Sequence, residues 1–192
     1  CSILSRYLQN SFDTTKLIVE DFSMSNPVYS LTKFDPLKSG KLPIALVWSQ
    51  PKELFPTFNE ALKLKEIDIE QLKKEVEDFT KFIVKNKYKF STILIPSIIH
   101  PFNDRGLGLT DSKNNFGLHR LLLKINFWIA ELLFSESDIF ILQTNNWIKS
   151  LNALNRKNWY YSKNPFSNEV FKIAANEIKE KVLILTSQNK KL

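Results

Sequence analysis

Two kinds of apolar spacing alternate along this chain. From Asp68 onward, Ile69, Leu72, Val76, Phe79 and Ile83 recur at steps of three and four with Glu and Lys between them. That spacing predicts an amphipathic helix running to about Lys85. The stretch from Gly117 to about Phe134 repeats it through Leu118, Leu121, Leu122, Ile125, Ile129, Leu132 and Leu133. A closing helix carries Val170, Phe171, Ala174, Ile178 and Val182, with Ser167 placed to cap its first turn. A shorter amphipathic helix spans Ile3 to Phe12. Between these lie short runs without charge, Pro43 to Trp48, Ser91 to Ile99 and Asp138 to Leu142, with the composition of strands buried on both faces. Thr15 to Phe22 reads as a further strand, Asn26-Pro27 as a turn, and Val28 to Phe34 as a helical turn ending before Pro36. Lys38 to Lys41 and Ser150 to Pro165 read as loops.

Strands alternating with helices at this spacing predict βαβ units, a mostly parallel sheet and helices on both of its sides. The chain would form a single α/β domain over 1–187, with 188–192 as a polar tail. Each apolar run empties into polar residues. Ser49, Gln50 and Glu53 follow one. His100, Asn103, Asp104, Arg105, Gly106 and Gly108 follow another, and Asn145 with Asn146 a third. Lys163 to Asn168 lead into the last helix. In a parallel sheet such segments converge on the rim outside the carboxyl ends of the strands, where carboxylate, guanidinium and amides can hold a small polar or anionic ligand. Arg105 fits that role because a guanidinium grips a carboxylate or phosphate through two parallel hydrogen bonds. Gly106 and Gly108 would let the backbone come close to the ligand.

Composition narrows the picture. At 192 residues, 43% hydrophobic and 12% aromatic, the chain is a packed globular protein. No apolar run is long enough to cross a bilayer, and no basic segment backed by an apolar core opens the chain, so no membrane partner is expected. The net charge of +7 comes from Lys spread over helix faces and from Lys190-Lys191, without a recognised nucleic-acid-binding motif. It reads as a solvated surface, not as a nucleic-acid interface. A single cysteine, Cys1, cannot form an internal disulfide, and a reducing cytoplasm is the expectation. The chain begins at Cys rather than Met, as a piece of a longer protein would.

Sequence motifs exclude more than they assign. There is no G-x-G-x-x-G, no G-x-x-x-x-G-K-[ST] and no G-x-S-x-G, so the dinucleotide, P-loop and nucleophile-elbow readings lose their main warrant and no cofactor is expected. With only His100 and His119 and no cysteine cluster, no metal site is expected either. His100 and Asp104 could supply the base and orienting acid of a serine triad, although their spacing is not itself a motif.

The order of segments resembles a known family. VWSQPKELFPTF, a helix, ILIPSIIHPFNDRGLGL, the NFGL helix with Asn126, a strand, and WYYSKNPFSNEVFKIAANEI together resemble the N-terminal region of FkbH-like proteins. There an SGNH/GDSL-hydrolase-like domain precedes a phosphatase-like domain of the HAD superfamily. The resemblance covers Pro43 to Val182 and implies a three-layer, flavodoxin-like α/β/α sandwich whose first strand is missing or precedes Cys1. It implies a HAD partner domain after Leu192, and by family association an acyl carrier protein that receives a glycerate-derived three-carbon unit. It also says where SGNH catalytic groups would fall. Ser2, or Cys1, is nearest to the nucleophile's place. The Gly-x-Asn-Asp block matches Ser49-Gln50-Pro51-Lys52, and the Asp-x-x-His block matches Lys163-Asn164-Pro165-Phe166, so neither its acid nor its base is present.

Two readings follow. In one, the chain is a non-catalytic accessory domain that binds a small anionic or acyl-type ligand, a carrier protein or its HAD partner. In the other, it is a divergent esterase or acyltransferase using Ser2 or Cys1 with His100 and Asp104. The missing histidine favours the first, because a serine hydroxyl without a base is a poor nucleophile at neutral pH.

Overall fold

The structure is a computed structural model that describes residues 2–11, 27–35, 43–99, 107–149, 153–155, 157, 161 and 166–188. In chain order its elements are α1 (Ser2–Ser11), α2 (Pro27–Lys33), β1 (Ile44–Leu46), α3 (Pro51–Leu54), α4 (Pro56–Leu62), α5 (Ile69–Asn86), β2 (Thr92–Pro96), α6 (Leu118–Leu133), β3 (Ile139–Leu142) and α7 (Asn168–Gln188). Single 3-10 turns occupy Lys87–Lys89, Gly108–Ser112 and Thr144–Asn146. The chain falls into two compact units, Ser25–Gln143 and a second made of Cys1–Met24 with Thr144–Leu192.

The first unit is α/β, as expected. Its strands lie in the order β1-β2-β3, all parallel, with Ala45 opposite Ile93 and Ile93 opposite Ile139. All five residues of β2 are buried, the signature of a central parallel strand. Two crossovers of the usual right hand running in one direction put both connecting helices on one face. Accordingly α5 and α6 pack on each other, and their stripes share one core with Ala45, Val47, Ile93, Ile95 and Ile139. The alternate residues Leu94 and Leu142 are buried as well. β3 departs from the expected two-sided burial, since Phe140 is 41% exposed.

Helix ends in this unit are closed by side chains. Asp68 accepts a hydrogen bond from Glu70 N at 2.9 Å and caps α5, where the expected stripe of Leu72, Val76, Phe79 and Ile83 is buried. Glu75, on α5, accepts from both the N–H and the hydroxyl of Thr57 and so closes the start of α4. Lys89 is buried, and its ammonium donates to the carbonyls of Leu31 (3.1 Å) and Thr32 (2.7 Å) at the end of α2. Positive charge there also meets the negative end of the helix dipole. At the amino-terminal side of the sheet, Lys87 donates to Glu136 at 2.7 Å and lies 3.7 Å from Asp138. The Glu136 carboxylate accordingly raises the Lys87 pKa.

In the second unit α1 packs on α7. α1 buries Leu4 and Leu8, and α7 buries Val170, Phe171, Ala174, Ala175 and Ile178, close to the expected stripe. Phe166 meets Phe171 edge-on at 5.9 Å, and Leu154 bridges antiparallel to Phe166. The predicted strand at Thr15 to Phe22 and the predicted loop at Lys38 to Lys41 lie outside the described residues, as does most of the loop from Ser150 to Pro165.

α4, which the apolar spacing did not announce, ends in a left-handed turn. Leu64 has φ 62°. Its N–H reaches Ala61 O at 3.0 Å while Lys65 N reaches Glu60 O at 3.2 Å, the paired bonds of a Schellman cap in the place where glycine is usual. Lys63 and then Lys65 hold the Glu60 carboxyl down to about 2. Because left-handed backbone costs an L-residue about 1 kcal/mol or more and Leu64 is half exposed, Leu64→Gly should raise stability by about 0.5–1 kcal/mol. Urea denaturation checks this, with a higher midpoint at unchanged m-value as the expected result.

Candidate functional site

The described residues outside the carboxyl ends of the strands are held by local hydrogen bonds. Beyond β1 the ladder continues one step, Val47 N donating to Leu94 O at 2.9 Å. The segment expected to be a polar loop, Ser49 to Glu53, instead turns into α3 at Pro51. Proline at a first helical position explains the turn: its φ is already helical and its absent N–H would be unpaired there anyway. Gln50 occupies the N-cap position with extended backbone, and its carbonyl accepts from Glu53 N at 3.0 Å. The Ser49 hydroxyl donates to Glu53 Oε2 at 2.9 Å. Two of the predicted ligand-binding residues are thus partners of each other.

Beyond β2 the chain is held by one side chain. Ser97 N still pairs with Leu142 O at 2.7 Å, but Ile98, 3% exposed, has no strand neighbour for its peptide groups. Asn126 on α6 supplies both partners: Oδ1 accepts from Ile98 N at 2.7 Å and Nδ2 donates to Ile98 O at 2.8 Å. The second Nδ2 hydrogen goes to Leu122 O at 2.9 Å. A carboxamide is the side chain that copies a peptide's own donor and acceptor, so buried backbone past a strand end stays satisfied. The residue reading gave Asn126 no such role. The signal available was an Asn, a poor helix former, on the flank of an apolar stripe between Leu122 and Ile129.

The return to α6 is built with equal economy. Gly108 has φ +54° with open space around it, so its glycine serves the backbone turn that opens the 3-10 segment, not a close approach. Thr110 and Ser112 hydroxyls donate to the carbonyls of Leu107 and Leu109. Asp111 accepts from Leu118 N at 3.1 Å and His119 N at 3.0 Å, capping α6 from seven and eight residues upstream. Gly117 lies so close beneath this loop that a Cβ there would sit 1.7 Å from Asp111 O. His119 is exposed on α6, as its sequence position indicated.

His100, Asn103, Asp104, Arg105 and Gly106 lie outside the described residues, as do Cys1 and Lys163. Ser2 is the first residue of α1. Asn145 is exposed in the 3-10 turn after β3 and belongs to the second unit. Ser167 precedes α7 and its carbonyl accepts from Phe171 N at 3.5 Å, but its buried hydroxyl meets no hydrogen-bond partner among the described residues, so the expected side-chain cap does not form. In the same unit Trp147 is fully buried and its Nε1–H donates to Glu177 Oε2 at 2.6 Å. An open cleft of about 430 Å³ beside it is lined by Asn146, Ile173, Asn176, Glu177, Glu180 and Lys181. Apart from Asn146 this lining is one helix surface. Among the described residues no group of His, Cys, Asp and Glu could hold a metal ion, and no helix is long and apolar enough to cross a membrane.

The three described strands run in sequence order, without the reversal that opens a ligand crevice in a doubly wound sheet. In the described part of the rim Ser49, Glu53, Asp111 and Asn126 are thus engaged with neighbouring groups, while the buried Oε1 of Gln50 meets no hydrogen-bond partner among the described residues.

Two substitutions test this architecture. Asn126→Leu leaves both peptide groups of Ile98 without partners and should cost about 2–4 kcal/mol by chemical denaturation. Asn126→Asp retains the acceptor but has no hydrogen to donate until protonated, so its deficit should shrink as pH falls below the carboxylate range. Gly117→Ala must displace the Asp111 backbone and its cap, with an expected loss of about 3 kcal/mol. An alanine variant as stable as the wild type would show that the loop can move aside.

In comparisons with protein families, with curated proteins and with solved structures, nothing matched this chain.

Proposed function

We propose that this chain is an SGNH-hydrolase-like accessory domain of the FkbH-like type, a three-layer α/β/α sandwich in full, that binds and does not hydrolyse. Its ligand would be a small anionic or acyl-type group, free or carried on the phosphopantetheine arm of an acyl carrier protein, and a HAD-like domain would be its covalent partner. One observation carries the reading. The position that holds the Gly-x-Asn-Asp block in the resembled family is here the start of α3, with the Ser49 hydroxyl committed to Glu53 and Pro51 without an N–H. With no Asn or Asp in Ser49-Gln50-Pro51-Lys52, no N–H on Pro51 and the Glu53 N–H bonded to Gln50 O, this turn lacks the Asn amide and Asp carboxylate that the family's block supplies. The sequence adds the second support: Lys163-Asn164-Pro165-Phe166 stands where the family's acid and base would be. Arg105 is the residue best able to orient an anionic ligand.

The expected result is negligible turnover of short-chain p-nitrophenyl esters, together with a rise in melting temperature on adding phosphoglycerate or a phosphopantetheinylated carrier protein. Arg105→Lys should abolish most of that ligand-induced rise while leaving the melting temperature of the free protein nearly unchanged. Robust ester hydrolysis that disappears in Ser2→Ala or His100→Ala would replace this reading with the divergent esterase. A protein that no candidate ligand stabilises, and that Arg105→Lys destabilises, would leave Arg105 as part of the architecture.

A further inference from the structure

α6 is apolar on two sides. One stripe, Leu118, Leu121, Leu122, Ile125, Ile129 and Leu133, is buried in the core. On the opposite side Leu123 is 60% exposed, Phe127 61% and Phe134 89%, with exposed Ala130 between them. At 100° per residue these four side chains fall within a sector of about 60°, so they form a narrow continuous seam. A seam of this kind on a surface helix is the pattern of a helix–helix contact, not of scattered exposed residues.

The spacing of the seam is symmetric. The steps 123–127–130–134 read the same in both directions, so an antiparallel two-fold copy of the helix centred between Trp128 and Ile129 places Leu123 opposite Phe134 and Phe127 opposite Ala130. The largest side chain of each middle pair thus meets the smallest, which lets two helices approach closely and interdigitate. The charged flank matches too. Arg120, Lys124 and Glu131 lie along one edge of the seam, with the cations towards the amino end and the carboxylate towards the carboxyl end. Under the same two-fold axis, Lys124 of one copy comes level, within about two residues or roughly 3 Å along the axis, with Glu131 of the other. The Lys124 ammonium is already drawn over the Trp128 ring at 5.4 Å, on the side of the helix where that edge runs. Within one chain Lys124 and Glu131 are two turns apart, roughly 10 Å, and are not paired by their own helix.

From these features we infer that α6 is a homodimer interface, closed by an antiparallel copy of itself. Two copies would remove on the order of 1,000 Å² from water, which is where specific interfaces begin, and the dimer is therefore of moderate affinity. Antiparallel helix dipoles add to the preference for this orientation over the parallel one.

Sedimentation velocity of the whole chain, from low micromolar to sub-millimolar concentration, tests the inference. A concentration-dependent dimer is expected. Phe127→Glu should make the protein monomeric throughout that range, with circular dichroism unchanged and a melting temperature equal to that of the wild type at the lowest concentration, where both are monomeric, since the side chain is exposed in the single chain. Lys124→Glu and Glu131→Lys should each weaken the dimer roughly tenfold by placing like charges together, and the double swap should restore it. A chain that stays monomeric at every concentration overturns the proposal, as does a dimer indifferent to Phe127→Glu or unrepaired by the double swap. If the monomeric chain instead floats with anionic phospholipid vesicles in a Phe127-dependent way, the seam is a lipid-facing surface and the dimer is wrong.

Discussion

Burial of β2 on both faces is the constraint from which the first unit follows. Every one of its five residues is shut away from water, so each peptide group must find a partner within the sheet or just beyond it. Parallel neighbours on both sides meet that demand along the strand, and parallel pairing in turn requires long crossovers, which α5 and α6 provide. The demand does not stop where the strand does. Ile98 is buried past the last ladder bond, and Asn126 extends the sheet's hydrogen bonding by one peptide through a side chain on the helix that returns the chain.

A second feature runs through the same unit: helix ends are closed from a distance. Glu75 caps α4 from another helix, Asp111 caps α6 from across a turn, and Lys89 closes α2 from beyond β1 and α5. Each bond satisfies terminal peptide groups and at the same time ties two elements together, so the cap is also a tertiary contact. This matters for the rim. Ser49 and Glu53, two of the groups expected to hold a ligand there, are bonded to each other at the start of α3, and Asp111 and Asn126 hold α6 and the end of β2 in place.

α6 links the interior of the unit to its outer surface. Its inner stripe locks it onto α5 and the sheet, which fixes the rotation of the helix about its own axis. That rotation then determines which residues face outward, and it turns Leu123, Phe127, Ala130 and Phe134 to solvent as one seam. A helix anchored in this way presents its outer face as a rigid surface, with little ordering entropy left to lose on association.

The sequence by itself determined the class of the fold. Periods of three and four at Asp68–Lys85, Gly117–Phe134 and along Val170–Ile178, broken by uncharged runs at Pro43, Ser91 and Asp138, are local patterns of side chains, and they located α5, α6, α7 and the three parallel strands. The tertiary structure decided what period cannot encode. It turned Ser49–Glu53 from a loop into the start of α3, and it exposed one side of β3 at Phe140, because these depend on what packs nearby. It assigned Gly108 to a left-handed turn and Gly117 to a place without room for a Cβ, two reasons for glycine that look identical in a sequence. Above all it paired Asn126 with Ile98, Glu75 with Thr57 and Lys89 with the end of α2. A hydrogen bond between residues far apart in the chain leaves no periodic trace, because its geometry exists only once the elements that carry it have packed.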